Sequence, residues 1–323
     1  MNYPIKKWTD EEIERIISDL KRDKLDVDKI DGLYDLRGIS FTSGRTIEKD
    51  FKGHKYNTQE NNREFKKTKF HNIDFSSVNI ENTYFTNCEF INVLFNQTKA
   101  QNTKFWNCKF EDVQFIKSNF KSSVLGSNIG KKSGEFNRVK FIQCDLRGTS
   151  YSFPYFLDVE FLECKLKGVD FDGSRFENVK FKGLLDSVGF RGHGLNILSN
   201  SLFSKVNPHK FPNPMKNVDF VQAKLVGVDF SDGIDLSSCS FPKGDGYLLV
   251  ENINRTYPRS IELVNKKFNG ESKKWALGLL NDMLWNDSKR DQYYDFIDKA
   301  MLLEHYDQTF VDSLFALINE AKG

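Results

Sequence analysis

From Phe65 to Leu125 an apolar side chain recurs at almost every fifth position: Phe65, Phe70, Phe75, Ile80, Phe85, Phe90, Phe95, Ala100, Phe105, Phe110, Phe115, Phe120 and Leu125. Two positions before most of these anchors stands a small or β-branched companion: Thr68, Ile73, Val78, Thr83, Cys88, Val93, Thr98, Thr103, Cys108 and Val113. A helix would repeat its apolar residues at intervals of three and four, and an open half-buried sheet would alternate them. A period of five describes a four-sided stack of short strands, with two positions in five facing inward. Residues twenty apart then lie above one another at strand spacing, about 4.8 Å. Phe65, Phe85 and Phe105 are predicted to form one column and Phe70, Phe90 and Phe110 another. Each buried ring contributes about 1.5–3 kcal/mol of transfer free energy, so the ladder as a whole holds the stack. Ala100, between Ile80 and Phe120, is either a gap filled by a neighbouring ring or a weak point.

After a slip of one residue the rhythm resumes on Phe136, Phe141, Leu146, Tyr151, Phe156, Phe161, Leu166, Phe171, Phe176 and Phe181, with Phe141, Phe161 and Phe181 in a third column. Residues 126–135 are therefore expected to leave the stack. A second excursion is expected at 183–214, which holds Gly189, Gly192, Gly194, Pro208, Pro212 and Pro214. Phe220, Leu225 and Phe230 restart the pattern, and Leu236 and Phe241 close it. Outward positions align as well. Lys69, Glu89 and Lys109 are predicted to form one alternating charge column and Lys140, Glu160 and Lys180 another, as parallel coils require because like charges at strand spacing repel. Asn72 with Asn92, Asn82 with Asn102, and Asn87 with Asn107 stack at trailing positions, where asparagine tolerates turns.

The ends read differently. Thr9 before Asp10, Glu11 and Glu12 marks a helix start, and Ile13, Ile16, Ile17 and Leu20 give it an apolar face to about Lys21. Tyr34, Leu36, Ile39 and Phe41 suggest a first coil, followed by a polar loop from Thr42 to Asn62. An exposed terminal coil would offer unpaired strand edges, so the helix is read as a cap. From Gly244 the pattern turns helical, with an apolar face on Trp275, Ala276, Leu279, Leu280, Met283 and Leu284 and further helices expected at Tyr293–Leu303 and Thr309–Ala321.

The pentad of small residue, polar residue, anchor and two polar residues, as in Cys108-Lys109-Phe110-Glu111-Asp112, resembles the pentapeptide-repeat family. That family usually has Ala as companion and Asp or Asn before the anchor; here Lys69, Tyr84, Glu89, Leu94, Lys99, Lys104 and Lys109 stand at the second position. The resemblance implies a mainly β fold, a right-handed quadrilateral β-helix in which four pentads make one coil. The expected organisation is a helix, first coil and loop over 1–62, a β-helix over 63–241 with excursions at 126–135 and 183–214, and an α-helical unit over 242–323.

Composition narrows the chemistry. The chain of 323 residues carries a net charge of only +2, so no global field draws it to nucleic acid or membrane. No apolar run approaches the length of a membrane span, and no secretory leader is visible. A cytoplasmic protein is expected. Of five cysteines, Cys88, Cys108, Cys144 and Cys164 occupy companion positions and are read as reduced, buried small residues rather than metal ligands. His54, His71, His193, His209 and His305 are scattered without ligand spacing. The Gly126–Ser133 stretch has three residues between its glycines and Lys132 where a phosphate loop needs Ser or Thr. No catalytic, cofactor or metal residue is assigned.

Function is therefore sought on the surface. Outward apolar residues are predicted to gather on faces: Ile142 stacked with Leu162 on one, Tyr155 and Leu157 on the adjoining one, Tyr84 and Trp106 sharing a face in the first run, and Leu94 and Ile116 sharing another. Exposed apolar patches mark partner surfaces, unless the 183–214 excursion or the helical unit covers these. Lys131, Lys132, Arg191, Lys205 and Lys210 decorate the two excursions as candidate loop contacts. The reading that needs no unseen residue is a non-catalytic protein-interaction scaffold of the bacterial cytoplasm. The C-terminal helices are either a partner surface or a homodimer element. The resemblance also implies an alternative, since some pentapeptide-repeat proteins mimic duplex DNA and protect DNA gyrase or topoisomerase IV. Charge disfavours it: residues 63–125 carry more Lys and Arg than Asp and Glu, which removes the attraction such mimicry needs. Gyrase protection is accordingly not expected, and shielding of supercoiling against a fluoroquinolone would overturn that expectation. Nucleic-acid binding through the basic loops is disfavoured by the interleaved acids.

Overall fold

The computed structural model describes residues 5–42, 47–49, 55–57, 63–127, 133–194, 212–289 and 292–323, with backbone alone for 47–49, 55–57 and 286–289. Short parallel strands pair coil on coil into a four-sided tower. On the first face Phe65, Phe85 and Phe105 are in register, their rings stacked 5.3 and 4.9 Å apart. On the second, Phe70, Phe90, Phe110, Phe136, Phe156 and Phe176 stack at 4.7–5.1 Å. The third carries Phe95, Phe115, Phe141, Phe161 and Phe181 at 4.8–5.0 Å. Between columns the rings meet edge to face, as in Phe65–Phe70 and Phe85–Phe90, each at 5.4 Å. Both arrangements set the positive ring edge near a negative face. The fourth face carries Ile80, Ala100, Phe120, Leu146 and Leu166, all buried, and Phe120 reaches across to Phe105 at 6.4 Å beside the small Ala100.

Corners follow from residue type. Two residues past most anchors the backbone takes a positive φ, and Asn72, Asn82, Asn87, Asn92, Asn102 and Asn107 hold that position, where asparagine is tolerated better than bulky residues. Asn92 donates to Asn72 across coils at 2.7 Å. On the fourth face the corner closes as a tight turn, with Thr83, Thr103 and Ser123 N–H groups donating to the carbonyls three residues back. Asn79, Asn119 and Asp145 accept there from the backbone N–H two residues on. Companion side chains do more than fill space. Thr98, Thr103, Ser118 and Ser123 donate to the carbonyl 23 residues earlier, and Cys88, Cys108 and Cys164 do so through sulfur.

The two breaks are smaller than their glycines suggest. Gly126 forms a bulge between Leu125 and Ser127, and by Glu135 the strand is again paired with Lys109; residues 128–132 lie outside the described set. Residues 183–194 do not leave the tower. Lys180–Asp186 is a continuous strand, Leu185 and Phe190 are buried anchors, and Phe190 stacks between Phe171 and Phe230. The count fails there because Phe181 and Leu185 are four residues apart, a deletion spanned at Gly183 with φ +103°. Residues 195–211 lie outside the described residues.

At the top, helix α1 (Asp10–Lys21) starts with a capping box in which Thr9 and Glu12 satisfy each other's backbone N–H. It buries Ile16, Ile17 and Leu20 on the first coil, where Tyr34 pairs with Ile73 and the Phe41 N–H donates to Asn79. Within the 42–62 loop, Ile47–Lys49 and Lys55–Asn57 form an antiparallel ladder. At the bottom, Tyr247–Glu251 pairs antiparallel with Tyr294–Asp298. Here the helix expected at Tyr293–Leu303 is corrected: its first half is a strand, because Tyr294 and Phe296 alternate inward onto the tower core, with Phe296 against Phe230 and Tyr247 at 5.4 and 5.0 Å. Only Lys299–Leu303 is helical (α4). Helices α2 (Ile253–Lys267), α3 (Gly270–Lys289) and α5 (Gln308–Lys322) close a second core around Tyr257, Leu280, Leu314 and Ile318.

Candidate interaction faces

Packing commits the interior and leaves the outer positions of each pentad. The predicted charge columns are in register: Lys69, Glu89, Lys109 and Glu135 follow one another on the second face, and Lys140, Glu160, Lys180 and Asp219 on the third. Lys109 bonds Glu135 at 3.0 Å and Lys140 bonds Glu160 at 2.8 Å.

The apolar candidates fall into three groups. Tyr84 and Trp106 sit on the first face with ring centroids 5.4 Å apart, and the Lys104 ammonium lies 4.8 and 5.6 Å from them, a cation–π arrangement. Ile116, Ile142 and Leu162 form a continuous ladder on the third face; Leu94 lies in the neighbouring column, opposite Gln114. Tyr155 and Leu157 share the second face. Tyr155 donates to Glu177 at 2.7 Å while the Arg175 guanidinium stands 4.9 Å from its ring. Burial, then the bond to Glu177, pushes its hydroxyl pKa up to about 12. All eight are half-buried rather than fully exposed. The C-terminal helical unit lies at the Phe230–Phe241 end, where the Gln292 side chain donates to the Phe230 carbonyl and accepts from the Gly233 and Ile234 N–H groups.

Among the loop candidates, Arg191 is relocated. It belongs to the strand Gly189–Arg191 and bonds Asp170 at 3.0 Å and Asp232 at 2.8 Å, so its charge is spent inside the tower wall. Lys131, Lys132, Lys205 and Lys210 lie outside the described residues. Among the described residues, the most exposed large apolar side chains were not singled out as contacts from the sequence: Ile5 near the start of the chain, Leu184 and Val221 on the tower, and Trp285, Tyr293 and Met301 on the C-terminal unit. Leu184 was hidden by the four-residue step from Phe181 to Leu185, whereas Val221 holds the ordinary outward position after Phe220.

Cys88, Cys108, Cys144, Cys164 and Cys239 are free thiols. Burial, with Cys88 alongside, holds the Cys108 thiol well above its ordinary range, and hydrogen bonding with Cys144, together with burial, does the same for Cys164; both remain protonated donors, not nucleophiles. Among the described residues no three His, Cys, Asp or Glu side chains converge as metal ligands, and no helix is long and apolar enough to cross a membrane. A cleft of about 160 Å³ beside α1 is lined by Tyr34, Lys69, His71 and Asn72, and His71 Nε2 is buried there without a hydrogen-bond partner.

Stacked coils of about twenty residues, aromatic within and capped by helices, define a β-helical repeat protein. Residues 88–126 match the family model described as pentapeptide repeats, in eight copies, and the same stacked-coil pairing continues on both sides of that segment, up to a helical C-terminal region. No curated protein matches its sequence. Similar solved structures include QnrB1, a plasmid-mediated fluoroquinolone resistance protein, at 14% identity over 61% of this chain and 89% of that one, with a TM-score of 0.32. Rfr23 from the cyanobacterium Cyanothece is 13% identical over 52% and 97% of the two chains, TM-score 0.26. HetL from a Nostoc cyanobacterium, involved in heterocyst differentiation regulation, is 12% identical over 57% and 91%, TM-score 0.24.

Proposed function

We propose that this protein is a non-catalytic interaction scaffold of the bacterial cytoplasm that holds a protein partner on the outer faces of its tower. One observation carries the reading: the phenylalanine columns run from cap to cap, so recognition falls to side chains that point outward. Ile116, Ile142 and Leu162 make an apolar ladder beside the Lys140–Glu160 pair, an apolar centre with a charged rim of the kind protein interfaces use. Five free thiols suit a reducing compartment. Gyrase binding by duplex mimicry finds no support in these faces, whose charges alternate in sign instead of forming a negative rod.

The test is photo-crosslinking in cells from position 142, with a label at position 266 on α2, off the tower faces, as control. A discrete crosslinked partner is expected from 142 alone. Ile142→Glu with Leu162→Glu should reduce its capture about tenfold or more, the loss of a buried apolar centre. Equal crosslinking from both positions, or capture unchanged by the double substitution, would remove the third face from the proposal.

A further inference from the structure

We propose that the fourth face of the tower docks an acidic α-helix of a partner protein. The assignment rests on the scaffold reading above and names a partner chemistry for a different face. Its starting point is a break in the charge rule kept elsewhere. Lys121, Arg147 and Lys167 occupy the same turn position on three successive coils, because Asn119, Asp145 and Lys165 pair coil on coil two residues before them. Like charges thus stand at strand spacing, an arrangement that costs stability, whereas the second and third faces alternate Lys with Glu. Neighbouring acids answer only two of the three cations, Arg147 and Lys167, and a local rule broken without full compensation is the mark of a functional surface.

The neighbouring column adds Lys99 and Lys165, and Lys224 follows further down. All six cations are exposed. Three acids share the face: Glu81, Asp145 and Asp186. Asp145 accepts both arms of Arg147, and Asp186 bonds Lys167 at 2.9 Å. Lys99, Lys121, Lys165 and Lys224 have no ion-pair partner among the described residues, so the face is left positive.

Pitch selects the occupant. A helix laid along the tower axis offers one carboxylate per turn, about 5.4 Å apart, to one cation per coil about 4.8 Å apart. Over the three coils of the ladder the mismatch grows to about 1 Å, well within the reach of a lysine stem. A nucleic-acid strand presents phosphates about 3.4 Å apart along its axis. The fourth face also lacks the aromatic platforms on which single-stranded bases stack, and its one guanidinium fork is already held by Asp145.

The experiment uses the full chain and two helix-stabilised peptides of identical composition, one with glutamates along a single face and one with them spread all round. Titration by fluorescence anisotropy at low salt should give binding of the one-faced peptide about tenfold tighter than its isomer, the scale of a few aligned surface ion pairs. Lys99→Glu with Lys121→Glu should abolish that preference without lowering the melting temperature, since neither lysine is held in an ion pair among the described residues and the second change sets a carboxylate against Arg147 on the next coil. Equal binding of the two peptides, a preference that survives the double substitution, or tighter binding of a duplex of about twenty base pairs would each overturn the assignment. Crosslinking from position 142 is read separately, so the scaffold proposal and this one fail independently.

Discussion

Gly173 shows how much one position can decide. Its φ is +60°, and a Cβ there would come within 2.6 Å of the Phe153 ring, which also lies across Gly194. Phe153 is itself at φ +58°, a left-handed conformation costly for a bulky residue, so the two glycines form the slot that keeps its ring buried. Gly173→Ala is expected to destabilise the protein by about 1–3 kcal/mol through overpacking and backbone strain. Urea unfolding would measure it; an unchanged midpoint would mean that the ring swings out freely. At the same scale, the anchors were legible because a buried ring leaves a strict interval in the chain. The companions were legible only as small. Their hydrogen bonds are invisible in sequence because each donor and acceptor lie 23 residues apart, a distance that only the coil geometry closes.

Among the elements, α1 was readable from Thr9 and Glu12, since a capping box is a local device. It also carries a pH dependence. Hydrogen bonds from Lys6 and then the Thr9 backbone lower the Glu12 carboxyl from 4.5 to about 2. The sign follows from linkage: a carboxylate whose pKa is depressed by folding stabilises the native state above its unfolded value and loses that contribution as pH falls toward the folded one. Amide exchange in α1 should therefore accelerate relative to the tower between pH 4.5 and about 2. Glu12→Gln should flatten that window, and identical profiles for both proteins would exclude the box as its cause. The strand Tyr294–Asp298 was misread for the opposite reason. Tyr293 to Leu303 holds apolar residues that satisfy either period, and pairing with Tyr247–Glu251 together with the Phe230 and Phe241 rings chose the strand.

For the whole molecule, the C-terminal unit closes the tower rather than hanging from it. Phe296 and Tyr294 belong to the tower core, Gln292 satisfies three backbone groups of the last coil, and Asp298 accepts from the Gly227 N–H. Truncation after Pro242 would bare Phe230 and Phe241 and orphan those groups. It should lower stability by about 3 kcal/mol or more, on the scale of two exposed rings and the lost hydrogen bonds, and promote association through the open edge. Calorimetry and sedimentation of the truncated chain would show both; a truncated monomer melting like the full chain would show the unit to be separable. The period of five, the columns, the alternating charges and the amphipathic first helix were determined by the sequence alone, because each is a local interval repeated until only one geometry satisfies it. The tertiary structure decided where the count skips at Gly183, which face each outward residue joins, that Arg191 is neutralised within the wall, and that Lys121, Arg147 and Lys167 form a like-charge ladder. All of these depend on register between coils, and register is set by core rings and backbone pairing across gaps that the chain itself does not mark.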